Sequence, residues 1–234
     1  LARNPAVSET WYQRGNARLL HSTSDLARGV DASSLHVPAD ADLARALELN
    51  PEHAGGWHSR AWLNERWLAE RIRRGHPIEI PWETVAGYYD EAIRRSPENR
   101  EIWHNRGRLL WNWGNWLAQR GIDPEETYAR AQEDLERAAS LDPGVAETWF
   151  YLGSAQSSAA IWRSQHDADP RAAYATAESA LQKAIDLAPS WVIALSGRAT
   201  NRYCWAEFLR RRGDEWLPTS QTALADFTRA LDLD

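Results

Sequence analysis

This 234-residue chain has a single cysteine, no long apolar run and no excess of basic charge. Cys204 is the single cysteine, so no internal disulfide can form, and we expect a reducing, cytoplasmic compartment. No apolar run approaches the roughly 20 residues that a membrane helix needs, and we expect no membrane partner. Lys and Arg total 27 against 33 Asp and Glu, which argues against a general phosphate-binding surface. The sequence therefore predicts no nucleic-acid partner.

Catalytic and cofactor motifs are also missing. The chain has no Gly-x-Gly-x-x-Gly, no P-loop and no His-Glu-x-x-His. We interpret His166-Asp167-Ala168-Asp169 as a solvated acidic turn beside a helix cap, and Cys204 as a buried or idle thiol. We therefore expect no enzyme activity, no catalytic residue, no cofactor and no metal. A cleft with paired titratable groups of strongly perturbed pKa would favour the enzyme alternative.

The dominant positive feature is a repeat. Five prolines lie at equal steps of 46 residues, from 51 − 5 = 46 to 189 − 143 = 46: Pro5, Pro51, Pro97, Pro143 and Pro189. A fixed period of this size is typical of a repeat array. We therefore predict a single solenoid over residues 1–234, with repeats at 5–50, 51–96, 97–142, 143–188 and 189–234.

Each repeat is predicted to contain two helices, A and B. We expect helix A to begin at the register proline, which suits a first helical turn, and to run about 22 residues, roughly 33 Å. It should end near offset +24 from that proline, which is Gly29, Gly75, Gly121 and Gly213, with Asp167 as the exception. The B helices are predicted near 39–49, 82–95, 124–140, 170–187 and 218–232, with a long first connector at about 26–37.

Columns of like residues run down the repeats. Offset +6 is Trp11, Trp57, Trp103, Trp149 and Leu195; +10 is Gly15, Ala61, Gly107, Gly153 and Ala199; +38 is Leu43, Tyr89, Leu135, Leu181 and Phe227. A small residue at +10 allows helix B to approach helix A closely, while the aromatic residue four positions earlier fills the adjoining space. Arginines at +9 are expected to join neighbouring repeats or to cover apolar surface with their stems: Arg14, Arg60, Arg106 and Arg198.

These columns resemble the tetratricopeptide repeat (TPR) in all five units, but the usual TPR has 34 residues. The 12 additional residues must lie between offsets +10 and +34, so helix A is expected to be longer, with tryptophans at +16 and +19 packing the extension. The resemblance implies an all-α fold, a right-handed α-solenoid of helix-turn-helix repeats. It also implies that one face of the A helices lines a concave groove.

That face should carry offsets +7, +11, +14, +15, +18 and +22, opposite the core stripe. The candidate peptide-binding residues are Tyr12, Asn16, His58, Trp62, Glu65, Arg66, His104, Arg108, Trp111, Asn112, Phe150, Ser154, Thr200 and Tyr203. Aromatic residues mixed with His, Arg and Asn are typical of recognition surfaces. Trp62 and Trp111 depart from the core register, although they could also pack against adjacent A helices. His58 and His104 share a column, and hydrogen bonding explains them better than a metal, which would need a third ligand.

We therefore predict a non-catalytic scaffold that binds an unidentified protein or peptide in the groove. The alternative is a structural spacer or oligomerisation module. Because TPR arrays are known as appendages of bacterial signalling enzymes such as protein kinases, the resemblance also allows that setting.

The two ends of the chain suggest self-association. The sequence starts in mid-pattern and stops where a sixth register proline would follow, so we expect a piece of a longer protein. Leu224, Phe227, Leu231 and Leu233 on the last helix are predicted to lack a covering repeat, and Pro5 opens a helix A with no preceding helix B. Apolar ends of this kind favour end-to-end stacking between copies.

Overall fold

The structure is a computed structural model that describes residues 5–28, 33–166 and 168–233. Within those ranges the chain forms ten α-helices and no strand, so the all-α prediction is confirmed. The helices are α1 Pro5–Ala27, α2 Ser33–Leu49, α3 Ala54–Arg73, α4 Trp82–Arg95, α5 Arg100–Ala118, α6 Glu125–Leu141, α7 Ala146–Gln165, α8 Arg171–Leu187, α9 Val192–Arg212 and α10 Leu217–Asp232. The odd-numbered helices are the A helices of the five repeats, and the even-numbered helices are the B helices.

The helices fall into two compact units, Leu1–Ile102 and Trp103–Asp234. In the first unit each helix packs against the next, and α1 also contacts α3. In the second unit α6 to α10 pack in the same sequential way, and α7 also contacts α9. Contacts between neighbours in sequence, together with contacts between successive A helices, are the pattern of a helical solenoid. The single solenoid over residues 1–234 stays a prediction.

The B helices lie close to where the sequence predicts them. Helix α4 spans the predicted residues, and α6, α8 and α10 begin within one residue of the expected position. The exception is α2, which begins at Ser33 rather than near residue 39 and contains Pro38. The additional turn is held by tertiary contacts, because the ring of His36 stacks on Trp67 at 4.6 Å and its Nε2 lies 3.2 Å from Asn64 Oδ1.

The predicted start of the A helices is wrong for four of the five repeats. Helices α3, α5, α7 and α9 begin three residues after the register proline (54 − 51 = 3 for α3), and only α1 begins at its proline. The proline lies in the turn between helices B and A, and in the second and fourth repeats its carbonyl accepts a hydrogen bond from the indole at +6. Trp57 Nε1 donates to the Pro51 carbonyl at 2.8 Å, and Trp149 Nε1 to the Pro143 carbonyl at 2.9 Å.

The ends of three A helices are as predicted. Gly75, Gly121 and Gly213 have φ of +70°, +69° and +76°, the left-handed region that glycine adopts without strain. After each glycine, the next amide bonds back to a carbonyl five residues earlier, for example Asp214 N to Leu209 O at 3.0 Å. This is the Schellman pattern of helix termination. Gly29 and Asp167 lie outside the described residues.

Close contact between helices A and B occurs at offset +10, as the small residues there predict. A Cβ added to Gly107 would lie 2.6 Å from Leu135 Cγ, and one on Gly153 would lie 2.6 Å from Leu181 Cγ. At Gly15 the distance to Leu43 Cγ would be 2.8 Å. These separations leave no room for a side chain, so glycine sets the distance between the two helices.

Ion pairs with buried aspartates reinforce the same A–B contact. The arginine at +9 makes two hydrogen bonds to an aspartate 28 residues later in three repeats: Arg14 to Asp42, Arg106 to Asp134, and Arg198 to Asp226. These pairs join the two helices of one repeat. Arg198 in addition donates to the side-chain oxygen of Gln182 on the preceding B helix, so it also joins neighbouring repeats, as the sequence predicts. In the fourth repeat the same two positions are Leu152 and Ala180, which lie in one buried apolar cluster.

The remaining arginine at +9 also joins neighbouring repeats. Arg60 donates to both carboxylate oxygens of Asp40, on the preceding B helix, at 2.9 and 3.1 Å. Its guanidinium also lies 4.5 Å from the ring centre of Tyr88, which occupies the position of the aspartate in the other repeats. Burial of Asp40 is the largest single effect and opposes its ionisation. The hydrogen bonds and the charge of Arg60, together with Asn64 and His36, outweigh burial and hold the pKa of Asp40 below its ordinary value.

Candidate peptide-binding surface

The candidate residues of the first unit form what we call the first patch: Tyr12, Asn16, His58, Trp62 and Arg66. Tyr12 on α1 and Trp62 on α3 pack against the same buried cluster of Leu19, Ala39, Leu43 and Leu63. Both rings are half-buried, so each is held on one side and remains accessible on the other. The first patch therefore has two fixed aromatic rings on adjacent A helices.

Polar and charged groups surround these rings. Arg66 is exposed, with its guanidinium 5.9 Å from the ring centre of Trp62. The Tyr12 ring lies 4.3 Å from that of His53, whose Nδ1 accepts a hydrogen bond from Gly56 N at the start of α3. Asn16 and His58 are half-buried. A fixed aromatic surface with an arginine at its edge is the residue combination that dominates binding interfaces.

Glu65, the sixth candidate in this unit, does not present its carboxylate to solvent. Its exposure is 5%, and Oε2 accepts a hydrogen bond from the Tyr89 hydroxyl at 2.6 Å. Tyr89 is fully buried on α4, so Glu65 joins helices A and B within its own repeat. The helical register places Glu65 on the candidate stripe, at offset +14, but its carboxylate is bound to the buried phenol of Tyr89.

The second unit contains a continuous aromatic cluster, which we call the second patch. Trp111 and Phe150 lie 5.5 and 5.2 Å from the ring of Tyr151, and Phe150 also lies 5.1 Å from Trp191. The Trp111 indole donates to Ser158 Oγ at 3.0 Å, which fixes that ring against α7. Trp111 and Phe150 are half-buried. Trp111 therefore packs against an adjacent A helix and keeps an accessible face, and its role in binding stays a prediction.

His104 is buried and contacts the second patch through the ring of Tyr151. Its exposure is 4%, its Nδ1 lies 3.1 Å from Thr148 Oγ1, and its ring meets Tyr151 edge-on at 5.5 Å. The contact with Thr148 agrees with the hydrogen-bonding role that the sequence favoured for His104. Among the described residues, no group of three or more His, Cys, Asp or Glu could hold a metal ion.

The remaining candidates differ in exposure. Tyr203 is 53% exposed and Thr200 is exposed on α9, with the threonine hydroxyl donating to the Ser196 carbonyl at 2.8 Å. Arg108, Asn112 and Ser154 are half-buried on α5 and α7.

The sequence did not predict two residues of the second patch, Tyr151 and Trp191. Tyr151 is at offset +8, where the other repeats have Gln13, Ser59, Asn105 and Gly197, so no column marks it as aromatic. The glycine at this offset in the next repeat does not mark Tyr151 either. A Cβ on Gly197 would lie 3.0 Å from Phe150, so the small residue there admits the ring of Phe150, which the sequence had already selected.

Two further observations concern thiol chemistry and the membrane. Burial raises the pKa of the Cys204 thiol, and its neighbours include Trp205 and Phe208, so the thiolate is disfavoured. Within the described part of the chain, no helix combines the length and the apolar character required to cross a membrane.

Comparison with known proteins finds likeness at the level of fold. No protein-family model matches the chain, and no curated protein sequence matches it. Among solved structures, MamA is 12% identical, with a TM-score of 0.61 over 97% of this chain and 91% of MamA. YrrB, a TPR protein with an unusual peptide-binding site, is 17% identical, with a TM-score of 0.58 over 96% of this chain and 84% of YrrB.

A third similar structure is TTC0263, a thermophilic TPR protein from Thermus thermophilus. It is 16% identical, with a TM-score of 0.52 over 94% of this chain and 91% of TTC0263. At these identities the likeness concerns the fold, and it agrees with the sequential packing of paired helices and with the register columns. The chain therefore has the fold of a TPR-type helical repeat protein.

Proposed function

We propose that the chain is a non-catalytic scaffold that binds a protein or peptide on the exposed face of its A helices. The observation that carries the proposal is that Trp62 and Trp111 are each fixed against a buried cluster on one side and accessible on the other. An aromatic side chain held in one position contributes contact area at little entropic cost. The similarity to YrrB, a TPR protein with a peptide-binding site, supports the same interpretation.

The two patches favour a partner with apolar side chains and available hydrogen bonds. In the first patch an apolar side chain of the partner would pack on Tyr12 and Trp62, while Arg66 would meet a carbonyl or a carboxylate. In the second patch the rings of Trp111 and Phe150 offer a second apolar contact, with Asn112 and Ser154 nearby on the same helices. An extended or helical peptide could use either patch separately.

The test is to select peptides from a random display library and to measure their affinity for variants by calorimetry. Trp62→Ala/Trp111→Ala should weaken a selected peptide by about tenfold or more, since hot-spot tryptophans typically contribute about 2 kcal/mol or more. Trp216→Ala, which removes a half-buried tryptophan at the start of α10, is the matched control. Circular dichroism checks that all variants fold. Equal affinity of the double variant and the wild type would reject the proposal.

A second candidate function is self-association, which exposed leucines favour. Leu224 and Leu231 on α10 are 66% and 78% exposed, whereas Phe227 between them is half-buried. On α1, a cavity of about 290 Å³ is lined by Val7, Thr10, Trp11 and Arg14. We propose that α10 of one copy packs on this face of α1 in another copy, a head-to-tail contact that need not close into a ring.

The setting of the chain is a separate proposal. A cytoplasmic location and an attachment to a signalling enzyme such as a protein kinase stay predictions, and so does the role of a structural spacer.

A further inference from the structure

A cavity of about 380 Å³ lies between α5, α6 and α7 in the second unit. Its lining includes Asn115 and Gln119 from α5, Tyr128 from α6, and Ser158, Trp162 and Gln165 from α7. The volume is within the range of small-ligand sites, about 300–1,000 Å³. None of these residues is among the candidate peptide-binding residues named above.

The cavity is a product of the lengthened helix A. Asn115 and Gln119 are at offsets +18 and +22 (115 − 97 = 18, 119 − 97 = 22), and Ser158 and Gln165 are at +15 and +22 (158 − 143 = 15, 165 − 143 = 22). These offsets lie on the stripe predicted to face the groove, within the interval that holds the 12 additional residues. A usual TPR of 34 residues has no room for this part of the helix.

The lining combines apolar side chains, among them Ala118 and Ile161, with polar side chains that are not ionic. Its polar groups include three carboxamides, a hydroxyl and a phenol, and burial raises the pKa of Tyr128 to about 12, so the phenol is neutral at physiological pH. The nearest ion pair is already satisfied, because Arg163 donates to both carboxylate oxygens of Glu125 at 2.9 and 3.1 Å. A charged ligand would therefore lose its hydration without gaining a counter-ion.

The hydrogen bonds already made leave both donors and acceptors for a ligand. The Tyr128 hydroxyl donates to Asn115 Oδ1 at 2.8 Å, so the Asn115 amide N–H groups remain. Ser158 Oγ accepts from Trp111, and its hydroxyl also interacts with the Tyr128 phenol. The side chains of Gln119 and Gln165 have no hydrogen-bond partner among the described residues, and both are exposed at the mouth. Each carboxamide can donate and accept at the same time.

The next repeat shows that this polarity is not a general feature of the array. One repeat later, Asn115 corresponds to Ile161 and Ser158 to Cys204. There Ile161, Cys204 and Trp205 pack against Tyr174, the counterpart of Tyr128, and the Tyr174 and Trp205 rings stack 7° from parallel. The same place in the repeat is therefore lined by amides around Tyr128 and filled by apolar side chains around Tyr174.

We propose that this cavity binds an uncharged amide group, whose plane lies along Trp162 and whose N–H and C=O are bound by the carboxamides. The group could belong to an Asn or Gln side chain of a bound peptide or to a free small amide. The peptide source rests on the proposed scaffold function, whereas the amide preference of the cavity does not.

The test uses matched neutral and charged probes on the whole chain. Benzamide and benzoate have nearly the same shape, and so do acetyl-Ala-Asn-Ala-amide and its Asp analogue. Binding is followed by NMR through the side-chain amide signals of Asn115, Gln119 and Gln165. We expect saturable shifts with benzamide and the Asn peptide, and at least about tenfold weaker binding of benzoate and the Asp peptide. Equal binding of the neutral and charged probes, or no saturable shift at these amides, would overturn the proposal.

Variants distinguish the cavity from the A-helix surface. Ala118→Phe should fill the cavity and abolish benzamide binding while leaving the polar groups in place, and Gln221→Ala, exposed on α10, is the control. Trp62→Ala lies in the first unit and should leave benzamide binding unchanged. If benzamide binds but the library yields no peptide that binds the patches, the scaffold proposal is rejected and the amide-site proposal is retained. An Asn peptide that binds at least about tenfold more tightly than benzamide would identify a peptide as the source, and the reverse would identify a small amide.

Discussion

At the scale of single residues, glycine at offset +10 sets the separation of helices A and B. Gly107 faces Leu135 Cγ and the Ala131 carbonyl, with added-Cβ distances of 2.6 and 3.1 Å. The second of these contacts is with backbone, which cannot rotate away. A larger side chain at Gly107 must therefore displace the whole of α6.

We predict that Gly107→Leu is strongly destabilising. Overpacking a well-packed contact typically costs about 1–3 kcal/mol in the free energy of unfolding, and the backbone contact places this variant at the upper end. Urea denaturation measures the change. The matched control is Gly87→Leu on α4, where an added Cβ meets nothing within 4 Å. An unchanged midpoint for Gly107→Leu would show that helices A and B do not meet at this offset.

At the scale of helices, polar pairs between adjacent repeats complement the apolar contacts. Asp40 on α2 accepts from Arg60 and from the Asn64 side chain on α3, so three hydrogen bonds to one carboxylate join the first repeat to the second. On α8, Glu178 has the corresponding role and accepts from Arg202 on α9 at 3.0 and 3.2 Å. The cation comes from the following repeat in both cases.

We predict that Asp40→Asn lowers stability at neutral pH by about 1.5–3 kcal/mol, the range for hydrogen bonds to charged groups. The pKa of Asp40 is depressed in the folded state, so its contribution is present above the ordinary value of 3.8 and is lost as pH falls through the lower, folded pKa. Urea denaturation of both proteins from pH 7 to pH 3 should show the difference between them shrinking at the acid end. Glu133→Gln, exposed on α6, is the control, and a difference independent of pH would contradict the assignment.

The sequence predicted those features that recur in every repeat. The 46-residue period, the B helices and the +10 contacts follow from columns of like residues, because the same packing problem recurs in each unit. The start of helix A was missed because proline fits a first helical turn and an interhelical turn equally well, and the indole bond to its carbonyl decides between them. Tyr151 and the amide cavity were missed because each occurs in one place, where no column can mark it.

At the scale of the whole molecule, the proposed scaffold carries its binding sites on the A helices and has self-association as a second property. Light scattering over a concentration series tests the self-association. The average mass should rise with concentration, and Leu224→Glu/Leu231→Glu should prevent the rise by placing charges on the exposed face of α10. Glu substitution at the exposed Gln221 is the matched control. A constant monomer mass up to high concentration would reject head-to-tail association.

The most direct measurement of peptide binding by the A-helix face is to record the indole N–H signals of the chain by NMR while a selected peptide is titrated in. The indoles of Trp62 and Trp111 should shift in proportion to occupancy, because both rings are accessible on the candidate surface. Trp57 and Trp149, whose indoles donate to the carbonyls of Pro51 and Pro143 in interhelical turns, should stay unchanged and serve as internal references. Shifts confined to Trp57 and Trp149, with Trp62 and Trp111 unaffected at saturation, would place binding away from the A-helix face and contradict the proposed function.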